Sequence, residues 1–386
     1  MHPTRHRIGV LHPGFHTRGG AEAVALHFIE ALESSYEVTL FTTISPDFDS
    51  LNNYYGTNVS SVDVIVPSVL RQIPLEVRRD YAGVFLYAVL VRVVKSLAAD
   101  SLDALVSTFN EIGGIDGLPT VQYIHCPLYN RKKHPAPLRP DGFIQQAYSG
   151  TCARIAGISD QTMALGTVLT NSDWMGTVVE RIYDVSTNTV YPPVDTTPFV
   201  EAKEKSTCSD FVTVGRQTPD KNILQSIEII QRVRDQGHSV GLTIVGPSGD
   251  PEYAATVEKR ASESSFVEFV GEVDRTELVD IISRHRYGLH GKEYEHFGIV
   301  VAEMVAANTL PFVPRSGGQQ EIVNNQNLLT YNSVSDAVDK INKVLSDEQL
   351  EEQTRHNLPD TTAKYGRKRF KRRVSHILDG TVGGVP

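Results

Sequence analysis

The sequence predicts an α/β protein made of two doubly wound domains that face each other across a cleft. Three observations carry that expectation. Short apolar strands alternate with Gly-containing loops and amphipathic helices, the signature of a parallel sheet covered on both faces. The alternation stops at a proline-rich stretch and then starts again. A chain of 386 residues also exceeds what one ordinary hydrophobic core holds.

In the first half, residues 7–12 (RIGVLH) read as a buried strand, followed by a glycine-containing loop and a helix over 21–32. VTLFT at 38–42 is the next strand, with further strands at 62–66, 103–107 and 120–124 and helical patterns between them. The connector TVYPPVDTTPF holds Pro192, Pro193 and Pro198, a stiff non-helical link. Beyond it, strands are expected at 211–214, 241–245, 267–270, 286–290 and 310–313, with helices near 221–236, 251–264, 274–284 and 298–307. The expected domains are residues 1–188, residues 189–358, and a tail at 359–386. The tail carries GRKRFKRRVSHILDG, a basic amphipathic helix that is expected to cross back to the first domain. In doubly wound sheets ligands collect at the carboxyl ends of the strands, so the loops there hold the candidate site.

Composition excludes several classes. The chain is 40% hydrophobic and 22% charged with a formal net charge of −9, which argues against a nucleic-acid partner. Cys126, Cys152 and Cys208 are widely spaced and odd in number, so neither a disulfide framework nor a metal-ligand spacing is expected. MHPTRHRIGVLHPG lacks the apolar core of a signal peptide, and the longest apolar stretch, 81–94, is broken by Arg92. A cytoplasmic protein is expected, at most docked on the cytoplasmic face of a membrane.

The most informative stretch runs Glu295-His296-Phe297-Gly298-Ile299-Val300-Val301-Ala302-Glu303. One carboxylate stands ahead of a glycine that opens a helix, and a second lies eight positions on. Free N–H groups and the positive end of the helix dipole at such a start hold a diphosphate. Glu303 is placed to accept hydrogen bonds from ribose hydroxyls, and Glu295 to face a sugar. Two glutamates at this spacing also suit a solvated loop and helix. In Val214-Gly215-Arg216-Gln217-Thr218-Pro219-Asp220-Lys221-Asn222, Arg216 and Lys221 share a strand-to-helix loop. A planar fork and a point charge together suit a diphosphate whose charge grows as it leaves. Gly19 and Gly20, ahead of Ala21 and Glu22, allow close backbone approach at another helix start, without G-x-G-x-x-G or the acid of a dinucleotide fold. His125 closes the strand VQYIH, and Ser316-Gly317-Gly318 follows the strand LPFVP.

Together these residues resemble family 4 of the retaining glycosyltransferases, which have the GT-B fold of two Rossmann-like domains facing across a cleft. The resemblance rests on Gly19–Gly20–Ala21–Glu22, His125, Asn171-Ser172-Asp173-Trp174, Pro192-Pro193-Val194-Asp195, Gly215 to Lys221, and HGKEYEHFGIVVAEMVAANTLPFVPRSGGQQEIV, in that order. It implies that Glu295 holds the donor sugar near its C3 and C4 hydroxyls, with His296, Phe297 and the backbone of Gly298, Ile299 and Val300 lining sugar and phosphate. Glu303 then binds ribose, Arg216 and Lys221 stabilise the leaving diphosphate, and Glu295, His125, Arg216 and Lys221 form the catalytic set. Gly19 and Gly20 lie near the phosphates and acceptor. The implied reaction moves a hexose from GDP-mannose or a UDP-hexose to a hydroxyl of a glycan or lipid-linked acceptor, with retention and no protein nucleophile. YIHCP and EHFG resemble the lipid-linked-oligosaccharide mannosyltransferases most. Gln319-Gln320 depart from the family, where proline often precedes the glutamate.

Arg216, Lys221 and the helix start can supply a metal's charge, so no metal or other cofactor is expected. The D-x-D spacing at Asp47-Phe48-Asp49 falls in an expected loop away from the cleft. Residues 69–95 carry five Lys or Arg against two acids beside an apolar face, and Arg131, Lys132, Lys133 and Arg139 follow in a basic loop. Both suggest docking on anionic lipid. The competing readings are a sugar-nucleotide epimerase, a nucleotide-dependent oxidoreductase and a non-catalytic sugar-nucleotide-binding subunit. The absent dinucleotide fingerprint opposes the oxidoreductase, and the joint presence of Glu295, Glu303, Arg216, Lys221 and His125 opposes the binding subunit.

Overall fold

The computed structural model describes residues 5–74, 83–98, 101–129, 143–202 and 208–383. They form two compact units, one of residues 1–193 with 367–386 and the other of residues 194–366.

The first unit is built on a seven-stranded parallel sheet in the order β3-β2-β1-β4-β5-β6-β7. Its strands are β1 Arg7–Leu11, β2 Glu37–Phe41, β3 Val62–Ile65, β4 Ala104–Ser107, β5 Thr120–Ile124, β6 Thr167–Thr170 and β7 Thr187–Thr189. Side chains alternate across the sheet as the two-residue strand period requires. Ile8, Val10, Ala104 and Val106 pack against the Gly20–Leu32 helix, whereas Leu11 and Leu105 join Leu86, Tyr87 and Leu90 of the Gly83–Ala98 helix on the other face. Gly9 sits where a Cβ would lie 2.4 Å from a terminal methyl of Leu102, so a larger residue at that point of β1 requires the Leu102 side chain to shift.

The second unit has a six-stranded parallel sheet in the order β10-β9-β8-β11-β12-β13. Its strands are β8 Cys208–Val214, β9 Leu242–Val245, β10 Val267–Gly271, β11 His285–Leu289, β12 Leu310–Pro314 and β13 Thr330–Tyr331. Both sheets thus reverse strand order once, between β1 and β4 and between β8 and β11. The loops leaving those four strands are where doubly wound folds place ligands.

Four expectations are corrected. β6, β7 and β13 were not anticipated from the sequence; β7 and β13, three and two residues long, are too short for a period to register. Asp47-Phe48-Asp49 is a helix start, not a loop: Asp47 caps Phe48–Tyr55 by accepting from the Ser50 N–H at 3.2 Å. The helix expected near 221–236 is split into a 3-10 turn, Pro219–Lys221, and a helix, Ile223–Asp235, joined by Asn222 with φ +50°. Much of the apolar face expected in the 69–95 stretch is core within the Gly83–Ala98 helix. Leu86, Tyr87, Leu90, Val91 and Val94 are buried in the core, while residues 75–82 and the basic loop of Arg131, Lys132, Lys133 and Arg139 lie outside the described residues. Among the described residues no helix is long and apolar enough to cross a membrane.

The tail forms the helix Arg367–Val382, whose Phe370, Val374, Leu378 and Val382 recur every four residues and are buried. They share a cluster with Leu26, Phe28 and Ile29 of the Gly20–Leu32 helix, and Phe370 meets Phe28 edge-on at 6.2 Å between ring centroids. Lys371 pairs with Glu30 at 2.6 Å.

Candidate active site

In the second unit, β8 and β11 end side by side, and the loops that follow bring Lys221 to Glu295. Gly291 makes this approach possible, because a Cβ there would lie 2.6 Å from the Lys221 carbonyl oxygen. Asn222, at the turn between the two helical segments, donates from its amide to the Gly291 carbonyl at 2.9 Å. Lys221 Nζ then reaches Glu295 Oε2 at 3.0 Å. Lys292 stands 3.6 Å from Glu295 Oε1 and 3.4 Å from Asp220. His290, the residue just past β11, places Nε2 3.6 Å from Glu295 Oε2.

These charges decide the state of Glu295. Its side chain is 14% exposed, and burial by itself would raise its pKa. Lys221, His290 and Lys292 outweigh burial and hold the carboxyl well below the usual carboxylate range. Burial pushes His290 below the ordinary histidine value, so it is neutral near pH 7. Arg216 is exposed and makes no ion pair among the described residues.

The backbone around Glu295 is braced from below by the Ser316-Gly317-Gly318 turn. Glu295 and Gly317 form a parallel bridge, the Gly318 N–H donates to the Glu295 carbonyl at 2.8 Å, and Ser316 Oγ accepts from the Tyr294 N–H at 3.0 Å. Gly317 has φ +84°, and a Cβ on it would lie 2.3 Å from the Glu295 carbonyl oxygen. Gln319, where the family often differs, is buried and donates from its amide to the carbonyls of Lys292 and Ser316 at 2.9 and 3.0 Å. Gly298, with φ +103°, caps the helix Ile299–Ala306. The first bond of that helix is from Val301 N–H to the Gly298 carbonyl at 3.0 Å, which leaves the Ile299 and Val300 N–H groups ahead of the helical ladder. His296 donates its N–H to Glu295 Oε1 at 3.2 Å, and Phe297 is buried with its ring 5.2 Å from that of Tyr365.

Glu303 lies inside this helix and is paired with Arg275 at 2.8 Å. Burial raises its pKa by more than Arg275 lowers it. Arg275 also lies over the Phe199 ring at 4.8 Å. The sequence reading missed Arg275, Lys292 and His290. For His290 a signal existed, since it ends a strand just as His125 does; the Arg275 pairing crosses 28 positions and leaves no local trace.

In the first unit, Gly19 is the N-cap of Gly20–Leu32, and Glu22 turns back to accept from the Gly19 N–H at 2.9 Å and from the Thr17 hydroxyl. His125 follows β5; its N–H donates to Asn110 Oδ1 at 3.1 Å, and its Nε2 is 3.2 Å from the Thr108 carbonyl. His12, at the end of β1, is buried, 3.0 Å from Thr108 Oγ1, and burial with His125 nearby pushes its pKa down to about 3. Glu111, also unanticipated, is fully buried and accepts from the Leu128 N–H at 2.9 Å and the Tyr183 hydroxyl at 2.6 Å. Among the described residues no group of three or more His, Cys, Asp or Glu is gathered as metal ligands would be.

Two parallel-sheet Rossmann-like domains of this kind define the GT-B fold of glycosyltransferases. Sucrose-phosphate synthase from Thermosynechococcus elongatus superimposes over 99% of this chain and 100% of its own, with a TM-score of 0.69 at 16% identity. Anabaena HepE, solved with UDP and glucose, covers 97% of this chain and 99% of its own, with a TM-score of 0.65 at 14% identity. Residues 195–368 match the model of the family described as "Glycosyl transferases group 1". A Mus musculus protein named GDP-Man:Man(3)GlcNAc(2)-PP-Dol alpha-1,2-mannosyltransferase is 30% identical over 168 residues, 39% of this chain and 34% of that protein. The match thus spans about a third of the length of this curated relative.

Proposed function

We propose that this protein is a retaining, metal-independent hexosyltransferase that uses a nucleotide-sugar donor, GDP-mannose or a UDP-hexose. The observation that carries the reading is the ionised Glu295, held 3.0 Å from Lys221 beside the Gly298 helix start at the carboxyl edge of β8 and β11. A carboxylate kept charged in a nearly buried place accepts sugar hydroxyls strongly, and the adjoining cations and N–H groups suit a diphosphate. Arg216, exposed and without a counterion among the described residues, is left to a ligand. Glu303 accepts a ribose hydroxyl beside Arg275, while His125, Gly19 and Gly20 serve the sugar and acceptor.

In the proposed reaction the bond from sugar C1 to the diphosphate oxygen breaks through an oxocarbenium-like state. The acceptor hydroxyl forms its bond to C1 on the same face and gives its proton to the leaving phosphate. Arg216 and Lys221 stabilise the charge that grows there. The acceptor is proposed to be a glycan or lipid-linked glycan, as the names of the mannosyltransferase relatives suggest. Docking on an anionic cytoplasmic membrane face belongs to the same proposal, and liposome flotation at low and high salt tests it.

The donor reading is tested by thermal shift with UDP-, GDP- and ADP-sugars, with and without EDTA. Stabilisation by one base class, unaffected by EDTA, is expected; stabilisation by none removes the reading. Replacing Lys221 by Ala is expected to cost about 10²–10³ in transfer rate, the scale of losing one transition-state charge partner.

A further inference from the structure

The His290 side chain faces Glu295 and takes no part in the proposed chemistry. It is 2% exposed, its Nε2 is buried with no hydrogen-bond partner, and that atom points at Glu295 Oε2 from 3.6 Å, a few tenths beyond a hydrogen bond. Its backbone is fixed on both sides: the N–H donates to the Phe312 carbonyl at 2.9 Å, and its own carbonyl accepts from the Tyr331 hydroxyl at 2.6 Å. An imidazole nitrogen is thus held, unsatisfied, against a carboxylate oxygen that Lys221 already occupies at 3.0 Å.

The donor reading creates a conflict at that oxygen. Lys221 cannot neutralise a diphosphate and remain the main counterion of Glu295, and a nearly buried carboxylate that loses its counterion is costly. Lys292, at 3.6 Å, touches the other oxygen and is shared with Asp220. Resting on the reading that the diphosphate binds here, we propose that His290 is a positioning residue that takes over Glu295 from Lys221 when the nucleotide binds. It takes up a proton from solvent and donates its Nε2–H to Glu295 Oε2. The charge groups facing it are Lys221 and Lys292, which oppose protonation, and Glu295, which favours it. Moving the Lys221 ammonium toward the phosphate weakens one opposing group and leaves the carboxylate facing the ring. Glu295 therefore stays charged and aimed while its lysine is engaged elsewhere.

Calorimetric titration with GDP, UDP and ADP, each in buffers of different ionisation enthalpy at several pH values, tests this. The wild-type protein is expected to take up protons on binding nucleotide, beyond the ligand's own ionisation, so its affinity falls by up to about tenfold per pH unit where a full proton is taken up. In His290→Gln that uptake is expected to drop to the ligand-only level while nucleotide still binds, and transfer is expected to lose kcat more than it changes KM. His290→Asn is the second variant should Gln fail to fold. Nucleotide binding with the same proton uptake in a folded variant, or with none in the wild type, overturns the role of His290. Absence of binding by all three nucleotides instead overturns the donor reading on which it rests.

Discussion

Glu295 shows how one residue's chemistry is set by its neighbours. Its folded pKa is depressed by Lys221, His290 and Lys292 against the opposing effect of burial. A depressed carboxyl stabilises the fold fully above its unfolded value, about 4.3, and loses that contribution as pH falls through the lower folded value. The urea midpoint of the wild-type protein is therefore expected to fall on acidification below about pH 4, and Glu295→Gln is expected to flatten that acid limb while abolishing transfer. An unchanged acid limb in the variant would show that the charge cluster does not hold Glu295 ionised. Glu295, Lys221 and Arg216 were legible as candidates because they stand in ordered motifs that resemble the family, Gly215 to Lys221 and Glu295 to Glu303; spacing alone did not single them out. The ion pair itself was not legible, since its partners lie 74 positions apart and meet only because β8 and β11 are neighbours.

Among the structural elements, the turn Ser316-Gly317-Gly318 matters more than its sequence suggested. A flexible turn at a strand end was evident, but it acts as a rigid brace under the Glu295 loop. Gly317→Ala would place a methyl 2.3 Å from the Glu295 carbonyl oxygen at a φ of +84°. The expected cost is about 1–3 kcal/mol of stability, with a larger loss in transfer than in nucleotide affinity because Glu295 is re-aimed. Chemical denaturation and steady-state kinetics on the same sample check both; full activity in the variant would refute the brace. The helix Gly83–Ala98 teaches the opposite lesson. Its apolar stripe fits a core or a membrane equally by period, and only the packing of Leu86, Tyr87 and Leu90 against β1 and β4 decides for the core.

Across the whole molecule, the first unit is discontinuous in sequence. It is completed by residues that follow the entire second unit, so its core closes only when the tail helix docks. Phe370, Val374, Leu378 and Val382 fill the groove beside the Gly20–Leu32 helix. Leu378→Ala is expected to destabilise the first unit by about 2–5 kcal/mol, seen as an earlier transition in urea, with nucleotide affinity kept by the folded second unit. A parallel loss of nucleotide affinity below that transition would contradict the independence of the two cores.

What the sequence determined by itself is local and periodic: two runs of strand-loop-helix units, the glycine-opened helix at Gly298, and the residue types at the carboxyl ends of the strands. These follow from backbone sterics and burial period, which act over a few residues. The tertiary structure alone decided which of those ends adjoin, and with that the pairing of Lys221 with Glu295, of Arg275 with Glu303, and the place of His290 behind them. It also decided which side chains of the tail helix, expected from the sequence to cross back, enter the first core. Strand order and long-range charge pairing are properties of the packed sheet, in which segments distant in sequence lie side by side.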